Sequence, residues 1–132
     1  MTEDLEKKCT ILIVDDVEDN ITLLDALLRS EYTILTASSG VEALEIARTA
    51  MPDLILLDIM MPEMDGYEVC RALKVDPATQ KIPVIFVTAR LNQGDETKGF
   101  EAGGVDYITK PFFGAIVTAR VKVHLASKFM TI

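Results

Sequence analysis

The chain has 132 residues, enough for one core that buries roughly two-thirds of the surface the unfolded chain exposes, so neither a disulfide nor a structural metal is needed for stability. Its 49% apolar and 26% charged content excludes a disordered chain, and no apolar run approaches the length of a membrane span. A net charge of −8, from 13 Lys+Arg against 21 Asp+Glu, argues against direct nucleic-acid binding but suits a site that gathers a divalent cation.

In chain order, Met1 to Lys8 is polar and lacks the apolar centre of a signal peptide, so it is expected to be an N-terminal tail of a cytoplasmic protein. Cys9 and Cys70 stand in no metal-ligand spacing and are expected to be reduced thiols. The first strand is predicted at Ile11-Leu12-Ile13-Val14. Ile21, Leu24 and Leu28 then mark a helix. A second strand follows at Tyr32 to Thr36. Ser39-Gly40-Val41-Glu42 matches a capping box opening a helix with Val41, Leu44 and Ala47 on its apolar stripe. Leu54-Ile55-Leu56-Leu57 is the third strand, and Asp65-Gly66-Tyr67-Glu68 caps the next helix, with Val69 and Leu73 inward. Val84-Ile85-Phe86-Val87 is the fourth strand. The fourth helix ends at Phe100 and Ala102, stopped by Gly103-Gly104. Val105 to Ile108 forms the fifth strand, and Ile116, Ala119 and Val123 mark the fifth helix.

Strand and helix thus alternate five times. The first, third and fourth strands are apolar throughout, as parallel strands buried on both faces are, while the second and fifth have the composition of edges. The predicted fold is α/β: a single-domain, doubly wound, parallel five-stranded (βα)5 sheet with helices on both faces. The domain is placed at residues 9–126, with residues 1–8 and 127–132 as tails.

Ligands bind such sheets outside the carboxyl ends of the strands. Asp15 and Asp16 follow the first strand, Asp58 the third, Thr88 the fourth, and Lys110 comes just beyond the fifth. Crowded carboxylates repel unless a cation neutralises them, and Mg²⁺, with Mn²⁺ as a substitute, prefers such oxygen ligands. A carboxylate can attack phosphorus, while a hydroxyl and an ammonium bind the remaining phosphoryl oxygens. Each residue alone has a plain alternative: solvated loop acids at Asp15 and Asp16, a turn cap at Asp58, a β-forming Thr88, a surface lysine before a proline at Lys110. It is the occurrence of all of them at strand ends that points to phosphoryl chemistry.

These residues closely resemble the response-regulator receiver family over nearly the whole chain. Ile11 to Asp16 is similar to its first strand and acidic pair, and Asp58-Ile59-Met60-Met61-Pro62-Glu63-Met64-Asp65-Gly66 to its phosphoacceptor loop. Thr88-Ala89 is similar to its switch position, and Gly99 to Phe112 to its closing segment. The resemblance implies strand order 2-1-3-4-5. It implies a phosphoryl group on Asp58, received from a histidine kinase or histidine phosphotransfer protein. Asp16 would bind Mg²⁺ directly and Asp15 through water, with the Met60 carbonyl as a further ligand. Thr88 and Lys110 would contact the phosphoryl group, and Tyr107 would turn inward from solvent on activation. The face made by the fourth helix, fifth strand and fifth helix would then change, with a phosphorylation-dependent homodimer as one outcome. The Lys110-Pro111 bond would be cis. The ending Ala119 to Leu125 is similar to receivers that precede cyclic-di-GMP-handling domains or belong to hybrid kinases. Two departures stand out: Phe113-Gly114 leaves the last helix weakly capped, and Gly103-Gly104, in place of Gly-Ala, loosens the approach to the last strand.

Other functions are weighed against this one. Phosphatases of the haloacid dehalogenase type place a second Asp two residues after the nucleophile, where this chain has Met60. Nucleotide or flavin binding lacks the glycine-rich loop, since Asp16-Val17-Glu18-Asp19-Asn20 would repel a pyrophosphate. A docking-only pseudo-receiver would not need the complete acidic set. Met60, Met61 and Met64 are expected to pack at the pocket rim, and Cys70 within a helix. His124 is expected on the last helix's surface, its charge suited to the helix dipole.

Overall fold

The computed structural model describes residues 8–89 and 93–130. Strands β1 (Thr10–Val14), β2 (Thr33–Ala37), β3 (Leu54–Asp58), β4 (Val84–Thr88) and β5 (Asp106–Thr109) alternate with helices α1 (Glu18–Leu28), α2 (Gly40–Ala50), α3 (Gly66–Val75), α4 (Gln93–Ala102) and α5 (Gly114–Met130). The sheet is parallel with order β2-β1-β3-β4-β5. The less apolar strands β2 and β5 are the edges, as their composition predicts.

Alternation along each central strand divides the core in two. Leu12, Val14, Ile55, Leu57, Val84 and Phe86 face one side, where α2, α3 and Ala102 of α4 cover them. Ile11, Ile13, Leu54, Leu56, Ile85 and Val87 face the other, under α1 and α5. β3 and β4 are buried along their whole length, which is why their sequences read as unbroken apolar runs.

Helix ends agree with the sequence, with one change of partner. Asp65 and Glu68 form the full capping box. Ser39 accepts the Glu42 N–H, but the Glu42 carboxylate reaches the Ser38 N–H, one residue earlier than a capping box requires. At the end of α4, Gly103 adopts φ 108°, its N–H bonds the Phe100 carbonyl and the Gly104 N–H bonds the Gly99 carbonyl. That pair of bonds is a Schellman stop, which requires a left-handed residue at Gly103.

Two predicted helix stripes are corrected. Among the described side chains of α5, Val117, Val121 and Leu125 are buried, whereas Ile116, Ala119 and Val123 are exposed. The helix carries two apolar stripes, and only packing on the sheet selects between them. On α2, Val41 points to solvent, while Ala43, Leu44 and Ala47 are buried. α5 also continues past residue 126, to Met130. Most of the expected N-terminal tail, residues 1–7, lies outside the described residues.

Candidate functional site

The register brings the chemistry together. Val14 pairs with Leu57 and Asp58 with Val87, so Asp15, Asp58 and Thr88 emerge at nearly one level of the carboxyl edge. Asp15, Asp58 and Thr88 are all buried, and Asp16 is exposed beside them. Carboxylate oxygens of Asp15, Asp16 and Asp58 lie within 4.8 Å of one another. Lys110 reaches in from beyond β5, its Nζ 3.1 Å from Asp15 Oδ2 and 3.5 Å from Asp58 Oδ1. Its backbone N–H bonds the Thr88 carbonyl at 2.9 Å, and the bond to Pro111 is cis, as the resemblance implies.

The loop after Asp58 folds back tightly. Met60 N–H donates to Asp58 Oδ1 at 3.4 Å, and Gly66 N–H donates to the Ile59 carbonyl. A Cβ at Gly66 would collide with the Asp58 carbonyl oxygen, so only glycine lets α3 begin so close to the acceptor. The Met60 side chain is two-thirds exposed, whereas Met61 is buried and Met64 half-buried in the core, so rim packing describes the last two better than the first.

Electrostatically the pocket is under-compensated. Burial above all, then the charge of Asp15, push the Asp58 carboxyl up to about 6, against the pull of Lys110 and the Met60 N–H. Asp15 Oδ1 accepts the Val17 N–H, but Asp15 Oδ2 is buried and accepts no hydrogen bond; Lys110 is paired with it by charge, without the alignment a hydrogen bond needs. One ammonium cannot neutralise three carboxylates. A hard divalent cation among these oxygens fits the donor set and would supply the missing partner.

Tyr107 differs from expectation. Its ring is buried rather than turned to solvent, 5.5 Å from the Phe86 ring and 5.6 Å, edge-on, from Phe100. Space for it exists because Gly99 has no side chain. Gly104 likewise makes room for Phe86, since a Cβ there would collide with the ring, so Gly103-Gly104 tightens the approach to β5 instead of loosening it. His124 is also not a simple surface residue: its Nε2 lies 2.9 Å from Asp106 Oδ2, beside Arg120, whose Nη1 donates to both oxygens of Asp106. Sequence patterning missed these partners because they come from different elements. The one available signal was Gly99 itself, since glycine inside a helical pattern needs a packing reason.

The family described as "Response regulator receiver domain" matches residues 11–122. A probable cyclic di-GMP phosphodiesterase of Vibrio cholerae is 51% identical over 96% of this chain, and the response regulator PleD of Caulobacter vibrioides is 50% identical over 85%. The chain spans only 28% and 25% of the lengths of these two relatives. Among solved structures, a putative response regulator from Chloroflexus aurantiacus superposes with TM-score 0.87 at 37% identity, covering 91% of this chain and 99% of that one. The receiver domain of the Pseudomonas aeruginosa sensor histidine kinase PA1611, solved with a magnesium ion coordinated in its active-site cleft, gives TM-score 0.84 at 32% identity, covering 90% and 98%.

Proposed function

The chain belongs to the response-regulator receiver family of two-component signalling, and we propose that it accepts a phosphoryl group on Asp58 and uses it to reset the α4-β5-α5 face. The observation that carries this reading is the buried Asp58 carboxylate, held at a strand end within reach of Lys110 and two further acids. An Asp58 oxygen attacks phosphorus. The bond from phosphorus to the donor nitrogen or acyl oxygen breaks, and the donor departs as imidazole, after taking a proton, or as carboxylate. Lys110 neutralises the phosphoryl oxygens, and the Thr88 hydroxyl, on the neighbouring strand end, donates to one of them. Asp16 directly, Asp15 through water and the Met60 carbonyl would hold Mg²⁺, which when bound draws the incoming anion to Asp58 and offsets its charge.

Met60 separates this reading from phosphatase turnover. A thioether exposed to solvent moves no proton, so the acyl phosphate lasts as a signal does. The donor class is a histidine kinase or histidine phosphotransfer protein, and the altered face binds an output domain, a partner or a second copy. With Tyr107 already inward, phosphorylation acts by population shift toward an arrangement the fold can adopt without it. Intact-mass measurement after incubation with acetyl phosphate and Mg²⁺ tests the assignment: the parent gains one phosphoryl group and Asp58→Asn gains none. Equal labelling of the variant refutes Asp58 as acceptor.

A further inference from the structure

We infer that Gly99 is the positioning residue of the switch: the space left by its missing Cβ is the slot in which the Tyr107 phenol sits inward. This rests on the reading of Tyr107 as the switch aromatic. Glycine is a poor choice inside a helix, less favourable than alanine because it has more backbone freedom to lose. The backbone does not demand it, because Gly103 is the only described glycine with positive φ. Side-chain space does. An added Cβ would lie inside the Tyr107 hydroxyl, 2.7 Å from Cζ and 3.1 Å from the Phe86 ring. The first two separations are below any real carbon contact, and the hydroxyl end of a ring packed between Phe86 and Phe100 has little freedom to yield.

The neighbours of Gly99 fix α4 over this slot. Lys98 Nζ lies 4.9 Å from the centre of the Tyr67 ring, and Tyr67 packs against Phe86 at 5.3 Å. Phe100 closes the other side of Tyr107. Consecutive residues of one helix therefore hold, admit and cover a row of three rings that crosses from α3 to β5. Because α4 is held, a side chain at position 99 displaces the tyrosine rather than the helix. Asp58 lies outside the row, so accepting the phosphoryl group and seating Tyr107 become separable.

Labelling the three tyrosines with 3-fluorotyrosine gives one ¹⁹F resonance each, assigned by Tyr→Phe substitution. The solvent isotope shift between H₂O and D₂O reports whether each ring is shielded. In the parent, Tyr107 is shielded. In Gly99→Ala it loses that shielding, with and without beryllofluoride and Mg²⁺, while intact mass shows Asp58 still phosphorylated by acetyl phosphate. A Tyr107 that stays shielded in Gly99→Ala overturns the inference. If Gly99→Ala does not fold, the double variant Gly99→Ala/Tyr107→Val decides: recovery to the stability of Tyr107→Val supports the slot, and no recovery places the clash elsewhere and overturns it. If neither parent nor variant is phosphorylated, the proposed function fails, and the spectra without donor still settle Gly99.

Discussion

The two ends of the parallel sheet treat their carboxylates in opposite ways. At the amino end, Asp53 accepts the Thr10 N–H at 2.7 Å and faces Lys128, and Asp106 is held by Arg120, His124 and the Tyr107 N–H. Burial alone would raise Asp106, but the hydrogen bonds from His124, Tyr107 N–H and Arg120 outweigh it and keep its carboxyl below the ordinary range. At the carboxyl end, Asp58 is raised, Asp15 has a buried oxygen without a hydrogen bond, and one lysine serves both. Acids at the amino end stabilise the fold as it stands. Acids at the carboxyl end are left under-compensated.

The largest break in that contrast comes from Lys110→Met. Without metal at pH 8 it leaves Asp15 and Asp58 facing each other unpaired, and the domain loses about 3 kcal/mol in chemical denaturation. The loss shrinks at pH 5, where Asp58 takes up a proton, and shrinks again when Mg²⁺ is added. Unchanged stability in chelator means the lysine does not restrain these charges.

Next in size is Asp58→Asn measured as stability rather than labelling. The folded Asp58 carboxyl, raised to about 6, keeps a proton that the unfolded chain releases near its ordinary value of 3.8. The folded state therefore binds more protons between those values, and stability falls as pH rises through that window. In chelator at pH 8 the asparagine variant is more stable than the parent by about 3 kcal/mol, and well below the unfolded value the difference disappears. A variant less stable than the parent at pH 8 contradicts the frustrated pocket.

Smallest is Asp106→Asn at the satisfied end. Its partners are partly exposed, so the loss at pH 7 is at most about 1 kcal/mol. The lowered carboxyl contributes above its unfolded value and stops contributing as pH falls through the folded one, so parent and variant converge in acid. The two ends thus respond to acid in opposite directions.

Much of this was legible in the sequence because strand ends and candidate-site positions coincide. Unbroken apolar runs give β3 and β4, and the polar residues that stop them, Asp58 and Thr88, are the candidate site. Parallel topology then brings Asp15, Asp58 and Lys110 together without any further information. What was not legible depends on packing between distant elements. Ile116 and Val117 are equally apolar, and only the sheet decides that Val117 is inside. Tyr107 reads as a strand aromatic, and its inward placement depends on the absence of an atom at Gly99. Arg120, His124 and Asp106 meet only because α5 lies across the start of β5.

The most direct test is to find where the phosphoryl group goes and whether metal is required. The protein is incubated with a phosphohistidine donor in Mg²⁺ or in chelator, the acyl phosphate is reduced with borohydride to homoserine, and the modified residue is read by peptide sequencing. The account predicts modification at Asp58 in Mg²⁺ and almost none in chelator. Modification at Asp15 or Asp16, or equal modification of Asp58 without metal, would contradict it.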